Sequence, residues 1–247
     1  LLSRAQLLRF RHNDLNDLER CLKASSGAGR TLVVTESLFS MDGDTAPLNE
    51  IAEISNRYGA VLLVDEAHAT GTLGKEGRGL VPEEELQSKV DLCMGTLGKA
   101  LGSYGAFVAC SSELKQYLLN FARSFIYSTA LPPAQAGAAL AALQIIKSEP
   151  ERIRTLQEKS CLFRNALKER GLKVLGSEGP IVPVVVGEND RAVKAAKFLR
   201  GERIIVTAVR PPTVPAGTAR LRLSVTCAHT EEDLLRAAEK VSAALRC

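Results

Sequence analysis

With 247 residues, 45% of them hydrophobic, the chain is long enough to bury a sizeable core, in one large domain or one large plus one small. Its net charge of +4 is spread along the sequence and basic clusters such as Arg9-Phe10-Arg11 are short, which argues against a nucleic-acid partner. No apolar run approaches the roughly 20 residues that span a bilayer and no charged-then-apolar signal opens the chain, so no membrane association and a cytoplasmic (or organelle-matrix) setting are expected.

The first periodic segment follows Asn13, which reads as the N-cap of a helix carrying Leu15, Leu18 and Leu22 to about residue 25. Apolar runs at 31–35, 60–64, 92–97 and 106–110 are short and bounded by turn or charged residues, as buried strands are. Between the first two, Pro47 opens a helix with Ile51 and Ile54, and Gly59 closes it. Alternating helix and strand is the order of an α/β layer. From 132 to 148 a helix is apolar almost all round, which predicts burial or a bridge between domains. A boundary is expected at Glu149-Pro150, dividing a large domain (1–149) from a small C-terminal α+β domain (150–247). The latter reads as a helix to Gly171, strands at 180–186, 204–209 and 220–225, and helices at 190–199 and 231–245.

Six cysteines (Cys21, Cys93, Cys110, Cys161, Cys227 and Cys247) lack CxxC spacing and read as reduced, packing as small hydrophobes. Cys227 and His229 stand close together, but Thr230-Glu231-Glu232 beside them looks like a helix cap, and no metal site is expected.

The chemistry gathers at strand ends. Asp65 follows the run 61–64 directly, at the carboxyl end where ligands bind in open α/β sheets. Lys99 stands among small residues just past the 92–97 strand. A lysine so placed can form an imine with a carbonyl cofactor, while an aspartate on a neighbouring strand pairs with that cofactor's ring nitrogen. The reading is a pyridoxal-phosphate site. His68 is placed to donate to a phenolic oxygen on the cofactor, and Ser40 offers a hydroxyl at the same sheet edge. Thr96, Ser128 and Thr129 could serve a phosphate or simply cap helices. Arg210 precedes the stiff segment 211–215, where a guanidinium could fork a substrate carboxylate or form a rim salt bridge.

Five stretches carry a family resemblance: 35–44 (TESLFSMDGD), 64–71 (VDEAHATG), 95–102 (GTLGKALG), 125–134 (FIYSTALPPA) and 209–222 (VRPPTVPAGTARLR). In these the chain resembles the α-oxoamine synthases, a branch of the aspartate-aminotransferase-like (fold type I) pyridoxal-phosphate enzymes, and within them the 8-amino-7-oxononanoate-forming group. The resemblance implies Lys99 as the Schiff-base lysine, Asp65 on the pyridine nitrogen, Ser40 and His68 near the phenolic oxygen, and Thr96 on the phosphate. It implies Ser128 and Thr129 reaching the phosphate of a neighbouring subunit in a homodimer, and Arg210 with Thr213 holding the amino acid. The implied reaction is decarboxylative condensation of L-alanine with pimeloyl-CoA or a pimeloyl carrier-protein thioester, a step of biotin biosynthesis. A glycine-using acetyltransferase and a non-catalytic scaffold subunit are the alternatives.

The chain opens on Leu1 rather than methionine and reads as part of something longer. Missing are the family's glycine-rich phosphate loop and the histidine that stacks on the cofactor; His12 is not that residue. These 247 residues alone are therefore expected to leave sheet surface bare, to bind cofactor poorly and to be inactive.

Overall fold

The structure is a computed structural model and describes residues 4–25, 27 and 29–246. Helix α1 (Leu15–Ala24) buries Leu18, Cys21 and Leu22 on one face, and its N-cap is Asp14, whose side chain accepts from Asp17 N at 2.9 Å. Asn13, expected in that role, is committed elsewhere: its amide donates to Asp44 Oδ2 and to the Thr45 carbonyl, both at 3.0 Å. Strand β1 (Leu32–Glu36) alternates, with Val33 and Thr35 inward and Leu32 and Val34 outward. Helix α2 (Leu48–Arg57) packs Leu48, Ile51, Ala52 and Ile54 beneath the sheet, and Gly59 turns the chain into β2 (Val61–Asp65).

A single 3-10 turn and the short helix α3 (Leu80–Glu83) lead to β3 (Leu92–Thr96), which is followed by β4 (Ala106–Cys110). The sheet order is β1-β2-β3-β4, parallel through β3 and antiparallel at β4. Its core is built on Leu38, Leu48, Ile51, Leu62, Val64 and Leu73.

Helices α4 (Ser112–Phe121), α5 (Arg123–Ile126) and α6 (Pro133–Ser148) follow. The expected burial of α6 is not found: Ala139 alone is buried, while Leu140 and Leu143 are 59% and 49% exposed. No described element covers the outer face of α6, and β4 is likewise open, with Phe107 and Val108 exposed.

The remainder comprises α7 (Glu151–Glu169), β5 (Ile181–Gly187), α8 (Asn189–Gly201), β6 (Thr207–Val209), β7 (Ala219–Ser224) and α9 (Glu231–Ala244). The three strands form an antiparallel sheet in the order β5-β7-β6, and α7, α8 and α9 pack on it around Phe163, Leu167, Val184, Leu199, Leu221 and Val241. Strand β6 is shorter than the expected 204–209. Arg203 adopts a left-handed φ of 62° and Ile204 N donates to the Leu199 carbonyl at 2.8 Å, so that backbone finishes α8 rather than joining the ladder. Thr230 caps α9 in a reciprocal capping box with Asp233.

The two layers interlock. Ile181, the first residue of β5, is buried in the core of the first sheet. Gly43, at φ +64°, lies so close to β5 that a Cβ there would stand 2.8 Å from the Ile181 carbonyl oxygen.

Candidate active site

Three parallel strands end side by side, with Glu36, Asp65 and Thr96 as the last residues of β1, β2 and β3. Glu36 is in register with Asp65, and Asp65 with Met94. The chain leaves β3 in a turn closed by Ser103 N to the Leu97 carbonyl at 2.8 Å, and Lys99 sits on that turn. Two close approaches hold the turn. A Cβ on Gly95 would come within 2.4 Å of the Phe107 ring, and a Cβ on Gly71 within 2.7 Å of Ala100 Cβ. The stretches 64–71 and 95–102 are therefore in direct contact, which is why both need small residues there.

Lys99 is exposed and, among the described residues, makes no ion pair. Its charge is felt by Glu36 and His68. Asp65 anchors itself through one oxygen, Oδ1, which accepts from Ala67 N at 2.8 Å. His68 is half-buried, and burial, reinforced by the positive charges of Lys99 and Arg222, pushes its pKa down to about 4. Its imidazole is neutral at neutral pH and keeps one N–H to donate. Burial also pushes the Glu36 carboxyl above its usual range, against the hydrogen bond it accepts from Ser40 N at 3.1 Å.

Thr96 supplies the clearest sign that the site takes a polar ligand. Its Oγ1 is buried without any hydrogen-bond partner, which is costly unless a ligand acceptor completes it. An unpaired lysine, a free carboxylate oxygen on Asp65 and an orphaned hydroxyl on Thr96 are the groups that an aldehyde, a pyridinium nitrogen and a phosphate require. The residues present fit pyridoxal phosphate. Beside them lies a cleft of about 460 Å³ bounded by Phe10, His12, Glu36, Phe39 and Asp65. In that cleft His12 is tied to Asp44, at 2.8 Å, and packs edge-on against Phe39.

Ser40 joins the strand-end group through its backbone, since its carbonyl accepts from Arg222 Nε at 2.6 Å. Arg222 is the residue that sequence reasoning passed over. It projects from β7 over the 40–42 turn, half-buried, with its charge acting on His68 and Glu36. Its neighbour on the same strand face, Arg220, is 3% exposed and donates to the Met41 carbonyl at 3.3 Å and to the Asp42 carboxylate. Two arginines at i and i+2 in an apolar strand were the available signal, because a charge inside a sheet demands a partner across the face it shares.

Arg210 and Thr213 lie instead on the exposed loop between β6 and β7. Ser128 and Thr129 are exposed after α5, and the Ser128 hydroxyl donates to the Ser124 carbonyl; no contact in the described chain ties either to the strand ends. Glu66, within the 64–71 stretch, serves the fold. It is 1% exposed and accepts from Leu80 N and Val81 N at 2.8 and 3.1 Å, capping α3. Cys227 donates to the Arg152 carbonyl at the start of α7, and His229 accepts from Thr226 N within the turn before α9. Cys21, Cys93, Cys110, Cys161 and Cys227 are free thiols, and Cys247 lies outside the described residues.

A family profile described as "Aminotransferase class I and II" matches residues 2–241. The chain belongs to that family. Within it, the similarity runs to the α-oxoamine synthases. The chain is 51% identical over 239 residues to an 8-amino-7-oxononanoate synthase of Geobacter sulfurreducens, covering 96% of this chain and 61% of that protein. It is 50% identical over 231 residues to one of Anaeromyxobacter dehalogenans, covering 94% and 58%. Among solved structures, a serine palmitoyltransferase from S. paucimobilis with bound PLP superimposes with a TM-score of 0.92 at 30% identity, covering 98% of this chain and 61% of that one. An 8-amino-7-oxononanoate synthase from Francisella tularensis gives 0.85 at 32%, covering 99% and 70%. This family member spans about three fifths of the length of the first curated relatives it matches.

Proposed function

We propose that the polypeptide containing these residues is a pyridoxal-phosphate-dependent acyltransferase that condenses L-alanine with a pimeloyl thioester, releasing carbon dioxide and the thiol carrier and giving 8-amino-7-oxononanoate. The observation that carries this reading is the meeting of Lys99, Asp65, His68 and the orphaned Thr96 hydroxyl at the ends of two adjacent parallel strands, β2 and β3. Similarity of about one half to 8-amino-7-oxononanoate synthases supports the choice of substrates.

Bound pyridoxal phosphate would supply an electron-accepting ring and an aldehyde. Asp65 would pair with its ring nitrogen and keep it protonated. The Thr96 hydroxyl would donate to its phosphate, satisfying the buried oxygen. Neutral His68, with Ser40, would donate toward its phenolic oxygen. Lys99 would hold it by its amine and serve as the base that moves the proton at the amino acid's Cα. Arg222 forks the substrate carboxylate from the β7 side, and Arg210 and Thr213 on the exposed loop approach from the mouth. Ser128 and Thr129 act on the phosphate of a second copy in a homodimer. The setting is the cytoplasm; among the described residues, no helix is long and apolar enough to cross a membrane.

The test uses the complete natural polypeptide. Borohydride reduction after addition of pyridoxal phosphate, followed by peptide mass spectrometry, places the adduct on Lys99, and Lys99→Ala abolishes it while leaving the melting temperature nearly unchanged, since among the described residues the exposed Lys99 side chain makes no hydrogen bond or ion pair. Carbon dioxide is then released from L-alanine in the presence of pimeloyl-CoA and not from glycine with acetyl-CoA. An adduct on another lysine, or preference for glycine, would overturn the reading.

A further inference from the structure

Away from the strand ends, the second sheet carries a cleft of about 350 Å³ between the end of α7, β5, the first turn of α8 and the end of α9. Arg170, Lys173, Arg191 and Arg246 line it together with Ser242, and among the described residues no carboxylate does. Among the described residues, none of the four cations forms an ion pair. Arg170 donates to the Ala166 carbonyl at 2.7 Å and Arg191 to the Leu245 carbonyl, while Lys173 and Arg246 have no side-chain hydrogen bond. The cleft shares no residue with the Lys99 site.

Ser242 makes this more than a basic surface. It is 4% exposed, and its Oγ is buried with no partner. A serine inside a helix ordinarily returns its hydroxyl to a carbonyl one turn back, and this one does not. The cleft thus sets a buried hydroxyl without a partner beside four cations that, among the described residues, have no counter-charge, an arrangement that favours an anion with hydrogen-bond acceptors. The partial negative charges at the C-termini of α7 and α9 oppose an anion, but together they amount to about one unit against four full positive charges.

We propose that this cleft binds a small phosphorylated anion through a diphosphate group. Guanidinium forks match phosphate oxygens in pairs, the lysine adds a point charge and the serine one hydrogen bond. The volume lies near the lower end of the range for small-molecule sites and leaves room beyond one tetrahedral anion. Several negative charges on one small ligand are needed to balance the four cations, which a diphosphate supplies and a single carboxylate does not.

Calorimetric titration of the complete natural polypeptide with orthophosphate, pyrophosphate and ADP, in about 50 mM salt where screening is weak, tests this. Pyrophosphate binds at least about tenfold more tightly than orthophosphate. Ser242→Ala weakens it about fivefold, and Lys173→Ala and Arg246→Ala each about two- to fivefold. Thr96→Ala, at the other phosphate-sized position, leaves it unchanged. ADP binding tighter than pyrophosphate marks a nucleotide as the source, and equal binding marks the free diphosphate. Without ligand, Ser242→Ala melts no lower than the parent, because it removes an unsatisfied hydroxyl. No heat with about 5 mM pyrophosphate, or binding that ignores the three cleft variants, would overturn the proposal.

Discussion

His68 and His12 give the protein two opposite responses to pH. The folded pKa of His68 is about 4, below the unfolded value of 6.5, so between these values the unfolded chain binds the extra proton. Its contribution is complete above pH 6.5 and is lost as pH falls toward 4. Discounted for a ring that is only half-buried, this amounts to about 1 to 2 kcal/mol. His12 runs the other way. The hydrogen bond to Asp44 raises its pKa, so its stabilisation is complete below 6.5 and fades as pH rises through the folded value. Glu36 and Glu66, both raised by burial, oppose His68 in the acid range, since their folded forms hold protons longer. The comparison of parent and variant therefore isolates each histidine. In urea unfolding as a function of pH, His68→Gln flattens the rise in stability between pH 4 and 6.5, whereas His12→Gln removes a decline above 6.5. A His68→Gln curve parallel to the parent through the acid window would show that the ring titrates normally. Lys99, Asp65, His68 and Thr96 were legible because each stands at the end of an apolar run. Arg222 was not, because its partner is the Ser40 carbonyl, 182 residues away along the chain.

Among the elements, α6 separates what a sequence pattern can tell from what it cannot. Apolar residues all round a helix require cover, and the pattern does not say whether the cover comes from the same chain. Here the helix leans inward through one hydrogen bond, Ser103 Oγ to the Gln135 carbonyl at 2.7 Å, and through Ile146 beside Gly71. Its outer face, like β4, is left to another surface, in keeping with the proposed homodimer. Replacing Leu140 and Leu143 together by glutamate should change the unfolding free energy of these 247 residues by less than about 0.5 kcal/mol per site, as exposed positions do. Self-association in sedimentation velocity should fall with it. A loss of stability above about 2 kcal/mol would mean that α6 packs inward. The cap of α1 teaches the same lesson at smaller scale: Asn13 and Asp14 are equally good caps in isolation, and a distant acceptor, Asp44, draws Asn13 away.

For the molecule as a whole, the proposed function needs the β7 arginine to stay over the strand ends of the other sheet, and that depends on how firmly the two cores are joined. The joint is polar as well as apolar. Arg164, buried in α7, sends its guanidinium to the carbonyls of Glu178, Gly179 and Ile181 at 3.1 to 3.3 Å, fixing the segment that carries Ile181 into the first core. Arg220 clasps the 41–42 turn from β7. The Arg164 link could not be read from the sequence, because carbonyl acceptors on turns leave no residue signature; for Arg220 the arginine pair in an apolar strand signalled a partner without saying which. Removing Arg220 leaves the turn's carbonyl and the Asp42 carboxylate without their donor at a site that is 3% exposed on the arginine side, a loss of about 2 to 4 kcal/mol. Because that loss falls on the joint rather than on either core, Arg220→Ala should turn one cooperative calorimetric transition into two, with the Phe163 and Leu221 core and the Leu62 and Val64 core melting apart. A single transition shifted downward would instead show that Ile181 and Arg164 couple the cores without it. If two transitions do appear and the β7 side separates, burial of His68, the largest cause of its lowered pKa, falls along with the smaller contribution of the Arg222 charge, and the pH curve of His68 should move part of the way back toward an ordinary imidazole in the same variant.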